Sequence, residues 1–148
     1  MKLKGSCHCR AVRFALESST PYPYMWCYCS ICRKTAGGGG YAINIMGDAA
    51  TLKVTGRTRA YRASKGGGER HFCPQCASAL YVWDKRWPEW VYPFASAIDT
   101  PLPKPRARQL IFLGSRAGWA HVPTGKRFKA YPQEAIIDWH RKRRLLAR

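Results

Sequence analysis

The sequence predicts a mainly β domain that ends in one short helix. Short runs rich in β-branched and aromatic residues recur along the chain, and Gly, Pro, Asp and Ser separate them. Many short strands divided by turn residues are typical of an antiparallel β architecture. The 148 residues contain no internal repeat, no long linker and no shift in composition, so a single domain is expected.

The strand pattern covers most of the first three quarters of the chain. Glycine runs at 37–40 and 66–68 predict loops. One helix is predicted over 131–146, because Glu134 and Asp138 come early, Arg141–Arg144 come late, and this order suits the helix dipole. Strands are predicted at 11–16, 41–45, 51–54, 59–63, 69–72, 78–83, 90–97 and 108–113.

The chain is strongly basic. Its 26 Lys and Arg residues against 8 Asp and Glu residues give a formal net charge of +18, which attracts anions. Basic clusters at 104–108, 126–129 and 141–144 make weak nucleic-acid binding one hypothesis for a partner. No nucleic-acid recognition motif accompanies these clusters, so a charged surface without a nucleic-acid partner is the competing interpretation.

The start of the chain predicts a cytoplasmic location. The first ten residues lack the apolar segment of a secretory signal. The longest run without a charged residue, Ser18–Cys32, has 15 residues and two prolines, which is too short and too interrupted to cross a bilayer. No membrane partner is therefore expected, and in a reducing compartment clustered cysteines are more often metal ligands or reactive thiols than disulfides.

All seven cysteines fall into three tight groups. Two residues of a strand that are separated by one position point to the same face, so a C-x-C pair can present two sulfurs to one ion. Disulfides are the competing interpretation, but seven is an odd number and bridges between such close residues are strained. The groups are "CHC" at 7–9, "CYCSIC" at 27–32 and "CPQC" at 73–76.

The count of seven divides most simply into four plus three. A structural zinc site closes with four protein ligands, whereas a catalytic site keeps three and an open position. The two pairs would then form a closed site, and the triplet would hold a second Zn²⁺ with one vacancy. The alternative, which the spacing leaves open, is that a histidine completes the triplet; the candidates are His8, His71, His121 and His140.

These motifs carry a resemblance to a known family. "GSCHCRAVRF", "CYCSICRKTAGG", "FCPQCAS" and the later "RQLIFLGSRAGWAHVP" resemble the glutathione-dependent formaldehyde-activating enzyme family, which also includes centromere protein V. The likeness covers about residues 3–135, and all seven cysteines match in order and spacing. It implies a β-tent-like zinc fold, so residues 1–135 are expected to form the zinc domain and residues 136–148 a basic C-terminal helix or tail.

The resemblance also implies roles for the cysteines. Four match the structural zinc positions of the family: Cys7, Cys9, Cys73 and Cys76. Three match the second, catalytic zinc, whose remaining position the glutathione thiol takes: Cys27, Cys29 and Cys32. The implied reaction joins glutathione and formaldehyde into S-hydroxymethylglutathione and is classed with the carbon–sulfur lyases. The alternative function is a non-catalytic zinc module that binds an anionic partner.

Three positions depart from the family pattern. Arg10 and Ala77 stand where glycine is usual, and Tyr28 stands where histidine is usual. Tyr28 could donate a hydrogen bond to a thiolate or to the substrate, or it could simply pack. Arg33 and Lys34 directly follow the last cysteine of the triplet, so their charge could hold a carboxylate of glutathione.

Overall fold

Strands form most of the regular structure in the computed structural model, which describes residues 1–147. Three single-turn 3₁₀ helices, Ala49–Thr51, Ala95–Ala97 and Leu113–Ser115, join some of the strands. The described residues contain the helices α1 (Ser30–Ala36) and α2 (Ile136–Lys142), and the strands β1 (Lys2–Ser6), β2 (Arg13–Glu17), β3 (Thr20–Cys27), β4 (Ala42–Asp48), β5 (Lys53–Thr55), β6 (Arg59–Arg62), β7 (Glu69–Phe72), β8 (Ala79–Trp83), β9 (Trp90–Pro93), β10 (Gln109–Ile111) and β11 (Lys126–Arg127).

The strands form two sheets, and the predicted mainly β class is confirmed. A small sheet has the order β1-β2-β5, and a large one has the order β11-β10-β3-β4-β9-β8-β7-β6. Neighbours run antiparallel except that β10 lies parallel to both β3 and β11. The two parallel pairings were not predicted. They require long crossover connections, and strand patterns do not report which distant strand will be the partner.

The core lies where the small sheet packs on the large one. Leu3, Phe14 and Leu16 from the small sheet are buried with Ile45 and Val91 from the large one. In β1 buried and exposed residues alternate, as expected of a strand with one face in the core. The two sheets approach each other closely at Gly47, where an added Cβ atom would lie 2.0 Å from the side chain of Leu16.

All eight predicted strands overlap observed ones, but β1, β3 and β11 were missed. β3 was missed because Pro21 and Pro23 have no N–H to give to a ladder. The pairing of β3 with β4 shifts register between Thr20 and Met25, so both prolines lie where the ladder is already interrupted. Beyond this irregularity β3 pairs on both edges, and these pairings fix the position of Cys27 at its end.

The C-terminal helix is confirmed but is shorter than predicted. The predicted bounds, 131–146, were wrong: helix α2 covers seven residues, and its N-cap residue Ala135 makes no side-chain capping bond. Glu134 lies before the helix and forms an ion pair with Lys142, with an N–O distance of 2.7 Å. Packing holds the helix in place, since the rings of Trp139 and Tyr24 stack with centroids 4.5 Å apart. The predicted boundary at residue 135 stays a prediction.

Candidate functional site

The first group of cysteines joins the two sheets. Cys7 and Cys9 follow β1, and Cys73 and Cys76 follow β7; the four sulfurs lie within 4.8 Å of one another. The Sγ atom of Cys9 is 3.5 Å from that of Cys7 and 3.8 Å from that of Cys73. Four thiolates around Zn²⁺ in a tetrahedral site have sulfurs about 3.8 Å apart. The donor set and its spacing therefore fit one zinc ion.

Two similar turns present these four sulfurs. The amide of Cys7 donates to the carbonyl of Val12, and the amide of Cys73 donates to the carbonyl of Ser78, both over 3.0 Å. The amide of Val12 also donates to the sulfur of Cys7 over 3.2 Å. A hydrogen bond from the Ser78 hydroxyl is the largest of the effects that lower the pKa of Cys76 to about 5. Such donors favour the thiolate form that a metal requires.

Each turn contains one residue in the left-handed conformation. Arg10 has φ of 62° and Ala77 has φ of 59°. Their amides donate to the carbonyls of Cys7 and Cys73, respectively. Glycine adopts this conformation without the steric cost that a Cβ atom brings. Two of the three departures from the family pattern therefore lie at positions whose backbone favours glycine.

The second group of cysteines lies at the junction of β3 and α1. Cys27 is the last residue of β3, Cys29 is the N-cap of α1, and Cys32 lies in its first turn. Helix α1 was not predicted, because seven residues are too few for a periodic pattern. The amide of Cys32 donates to the sulfur of Cys29 over 3.3 Å, so the helix cap fixes two of the three sulfurs.

This group has three ligands, not four. The three sulfurs lie within 4.8 Å of one another, and across residues 1–147 no His, Asp, Glu or further Cys joins them. The four histidines considered as a completing ligand are therefore not part of the group. The donor set fits a thiophilic ion such as zinc with one position left for another ligand.

Hydrogen bonds between the three sulfurs favour a thiolate on Cys29. Those from Cys27 and Cys32 are the main causes that lower the pKa of Cys29 to about 2. The bond that Cys27 makes to Cys29 is the largest cause of the raised pKa of Cys27. Cys27 and Cys32 are each only 5% exposed, so this charge lies at the edge of the core.

Two residues near this group were not predicted from the sequence. The Nη2 atom of Arg70 in β7 lies 4.0 Å from the sulfur of Cys32. Desolvation raises the pKa of the Tyr131 hydroxyl, and the negative charge of the three-cysteine group raises it further, although 73% of this residue is exposed to solvent. The only feature of the sequence that could have indicated Arg70 was its position in a predicted strand, three residues before Cys73. No feature of the sequence indicated Tyr131.

The residues expected to contact the substrate lie around α1. Tyr28 is completely buried, and its hydroxyl donates to the carbonyl of His121 over 2.8 Å. Arg33 is partly buried, and its Nε atom has no hydrogen-bond partner in the part of the chain that the structure describes. Lys34 is exposed. Their roles towards a substrate stay predictions.

Comparison with known proteins identifies the family. A model of the glutathione-dependent formaldehyde-activating enzyme family matches residues 2–114. A Halomonas elongata protein described as "Putative glutathione-dependent formaldehyde-activating enzyme" is 55% identical over 149 aligned residues, which cover 95% of each chain. The chain belongs to the glutathione-dependent formaldehyde-activating enzyme family. The resemblance inferred from the cysteine motifs is thereby confirmed.

A solved structure supports the fold of this family member. A crystal structure of a Rhodobacter sphaeroides protein superposes with a TM-score of 0.54 at 23% identity, and the match covers 68% of this chain and 91% of that one. Among the helices within residues 1–147, none combines the length and the apolar character needed to cross a membrane.

Proposed function

We propose that this protein joins a small, glutathione-like thiol to formaldehyde or a related aldehyde, as a carbon–sulfur lyase-type enzyme. The observation that carries the proposal is the group formed by Cys27, Cys29 and Cys32, in which three sulfurs converge without a fourth ligand among the described residues. The fourth position would be taken by the substrate thiol. Membership of the family and the name of the Halomonas elongata relative support the same reaction.

The two cysteine groups would have different tasks. Cys7, Cys9, Cys73 and Cys76 would hold a structural Zn²⁺, and Cys27, Cys29 and Cys32 would hold the second one. A zinc ion bound by the three cysteines would lower the pKa of a fourth thiol, so that the thiolate forms at neutral pH. The thiolate is the nucleophilic form of the substrate.

The next step is the addition of the substrate thiolate to the aldehyde, and residues of the chain would support it by charge and by positioning. The substrate sulfur adds to the carbonyl carbon of formaldehyde: a carbon–sulfur bond forms, the C=O double bond becomes a single bond, and the oxygen takes a proton from water. The hydroxide that remains is neutralised by the proton that the thiol released to solvent. The Arg70 guanidinium, 4.0 Å from the Cys32 sulfur, would offset the negative charge of the thiolates. Arg33 and Lys34 would bind a carboxylate of the thiol, and Tyr28 would hold the segment between Cys27 and Cys29 through its bond to His121.

The test is adduct formation by zinc-loaded protein. Glutathione and ¹³C-formaldehyde are mixed with the protein, and S-hydroxymethylglutathione is followed by NMR against the uncatalysed rate. Cys29→Ala should reduce the rate to the uncatalysed value. Lys53→Ala, which changes an exposed residue of the small sheet, should leave it unchanged. A wild-type rate equal to that without protein would refute the proposal.

A second candidate function rests on the charge. Of the eight acidic residues, five already form ion pairs with cations of the chain, so most of the basic side chains within residues 1–147 have no acidic partner. We propose weak nucleic-acid binding as the alternative, measured as affinity for DNA and RNA at increasing salt. Binding that weakens steeply with salt would support it. No binding at low salt would exclude it.

The state of the cysteines supports the proposed location in the cytoplasm. None of the seven cysteines is in a disulfide. A reducing compartment keeps such thiols available for metal. Fractionation of cells with a thiol-reactive probe would test this location, and detection of the protein with oxidised cysteines in an extracytoplasmic fraction would contradict it.

A further inference from the structure

A cleft of about 420 Å³ lies beside the four-cysteine group, and the end of α1 forms part of its wall. Cys7, His8 and Arg10 of the first turn form one wall, and Thr35 and Ala36 at the end of α1 form another. Asp99 and serine side chains contribute to the remaining lining. The volume is in the range of small-molecule sites, and the lining is polar. Nothing in the proposed chemistry at the three cysteines uses this cleft.

The cleft presents one positive and one negative side chain that do not neutralise other groups. Within residues 1–147 the Arg10 guanidinium and the Asp99 carboxylate take part in no salt bridge and in no side-chain hydrogen bond. Arginine binds carboxylates with two parallel hydrogen bonds, and aspartate binds ammonium groups. A ligand with both a free carboxylate and a free amino group matches this pair.

The backbone of Arg10 provides an independent argument. A residue with a side chain at φ of 62° costs more free energy than glycine does there. A non-glycine residue with positive φ can indicate a functional side chain, because a favourable interaction of that side chain offsets the conformational free energy. Ala77 has the same conformation in the other turn, but it does not line the cleft, so it serves as the matched comparison.

The cleft borders the hydrophobic cluster that contains Cys27 and Cys32. Cys32 and Ala36 are four residues apart, so they lie on one face of α1 and about 6 Å apart along its axis. Ala36 and Ala79 line the cleft and also pack in the cluster that contains Cys27 and Cys32. An extended tripeptide is about 10 Å long, so its sulfur and a charged end can reach both places.

We propose that this cleft binds the charged ends of the substrate, with Arg10 on a carboxylate and Asp99 on the amino group. The substrate class is then a zwitterionic peptide thiol, as distinct from a thiol that lacks one of these charges. This inference rests on the proposed function, since it places the body of the same thiol. It also gives Arg10, the departure from the family pattern, a role in specificity.

The test is calorimetric binding of S-methylglutathione to zinc-loaded protein. This probe keeps every charge of glutathione but has no free thiol, so the change in its affinity between the wild type and the Arg10 and Asp99 variants reports on the cleft. Arg10→Gly should weaken binding about tenfold, as expected for the loss of one charge-assisted pair. Asp99→Asn should weaken it similarly. Ala77→Gly, which relieves the same backbone conformation without changing the cleft, should bind as the wild type does.

The variants separate recognition from folding. Arg10→Gly should keep or raise the unfolding temperature, because glycine suits the backbone, and weaker binding would then not reflect unfolding. Unchanged affinity in both Arg10→Gly and Asp99→Asn would overturn the inference, as would equal affinity for the diethyl ester of S-methylglutathione, which lacks both carboxylates.

Failure of this inference can be told apart from failure of the proposed function. If the wild type accelerates adduct formation while Arg10→Gly has unchanged KM and affinity, the inference fails and the reaction stands. If the wild type binds S-methylglutathione through Arg10 but gives no acceleration, the recognition site stands and the reaction fails.

Discussion

The Nη2 atom of Arg70 lies 4.0 Å from the sulfur of Cys32, although the two residues belong to different elements and are 38 positions apart. Arg70 lies in β7, close in sequence to Cys73 and Cys76, whereas Cys32 lies in α1. This contact places a permanent positive charge beside a group of three thiols. With three thiolates and a bound Zn²⁺ the group would carry a net charge of −1, which the guanidinium would stabilise.

Arg70→Ala should therefore weaken zinc binding at the three-cysteine group. We expect a loss of about fivefold, on the order of 1 kcal/mol, because partial solvent exposure screens the charge. Competition with a chromophoric chelator measures it. Arg70→Lys should restore part of the affinity, and Arg59→Ala, on the exposed strand β6, should have no effect. Equal zinc affinity in Arg70→Ala and the wild type would contradict the proposed role.

The two cysteine groups should differ in their effect on stability. Cys73→Ser breaks the group that joins the sheets, so it should cost several kcal/mol of unfolding free energy and release one zinc. Cys29→Ser should release the other zinc and leave the fold intact. Zinc counted by mass spectrometry and unfolding followed by circular dichroism test this pair. Similar destabilisation by both variants would mean that both groups are structural.

Ala77→Gly should stabilise the protein by about 1 kcal/mol, since φ of 59° is strained for alanine and not for glycine. Thermal unfolding of zinc-loaded protein measures this. Ala60→Gly, in strand β6, is the control and should lower stability, because glycine weakens a strand interior. A lower unfolding temperature for Ala77→Gly would show that the turn does not favour glycine.

Tyr28→Phe should cost about 1 kcal/mol, since it removes the hydroxyl that donates to the His121 carbonyl. If this bond only holds the segment between two cysteines, zinc binding and the KM for glutathione should not change. Denaturant unfolding and steady-state kinetics measure the two effects separately. A large rise in KM without loss of stability would instead place the Tyr28 hydroxyl in contact with the substrate.

His140 should make the attachment of α2 sensitive to acid. Burial lowers its pKa, and the nearby charge of Arg143 lowers it further, against the opposing effect of its bond to the Ile136 carbonyl. The neutral ring thus contributes its full stability above the unfolded-state pKa of about 6.5, and this contribution is lost as the pH falls towards and through the lower folded-state value.

Hydrogen exchange of α2 at pH 7.5 and pH 5.0 measures this effect locally. Exchange protection should fall at pH 5.0 in the wild type and fall less in His140→Phe, whose ring fills the space between Tyr22 and Tyr24 without titrating. An equal fall in both proteins would assign the acid sensitivity to other groups, such as the cysteines.

Local spacing made the two cysteine groups predictable, whereas the contacts between distant elements could not be predicted from the sequence. The C-x-C and C-x-x-C spacings show which sulfurs can converge, and the division into four and three follows from their number. Arg70 reaches the triplet only through tertiary packing, to which no pattern in the sequence corresponds. Strand β3 was hidden by Pro21 and Pro23, because a shift of register admits prolines that a regular ladder would exclude.

The positions of the cysteines along the chain also set the order in which the two groups would become available to metal during synthesis. Cys9 and Cys73 are 64 positions apart, whereas the triplet is complete within six consecutive residues. At about 5–20 residues per second, the ribosome releases Cys76 roughly two to nine seconds after Cys32. The triplet is thus the first complete group to leave the ribosome, and an ion that joined the two sheets through the other four cysteines would arrive while an earlier competitor for the same metal is already exposed.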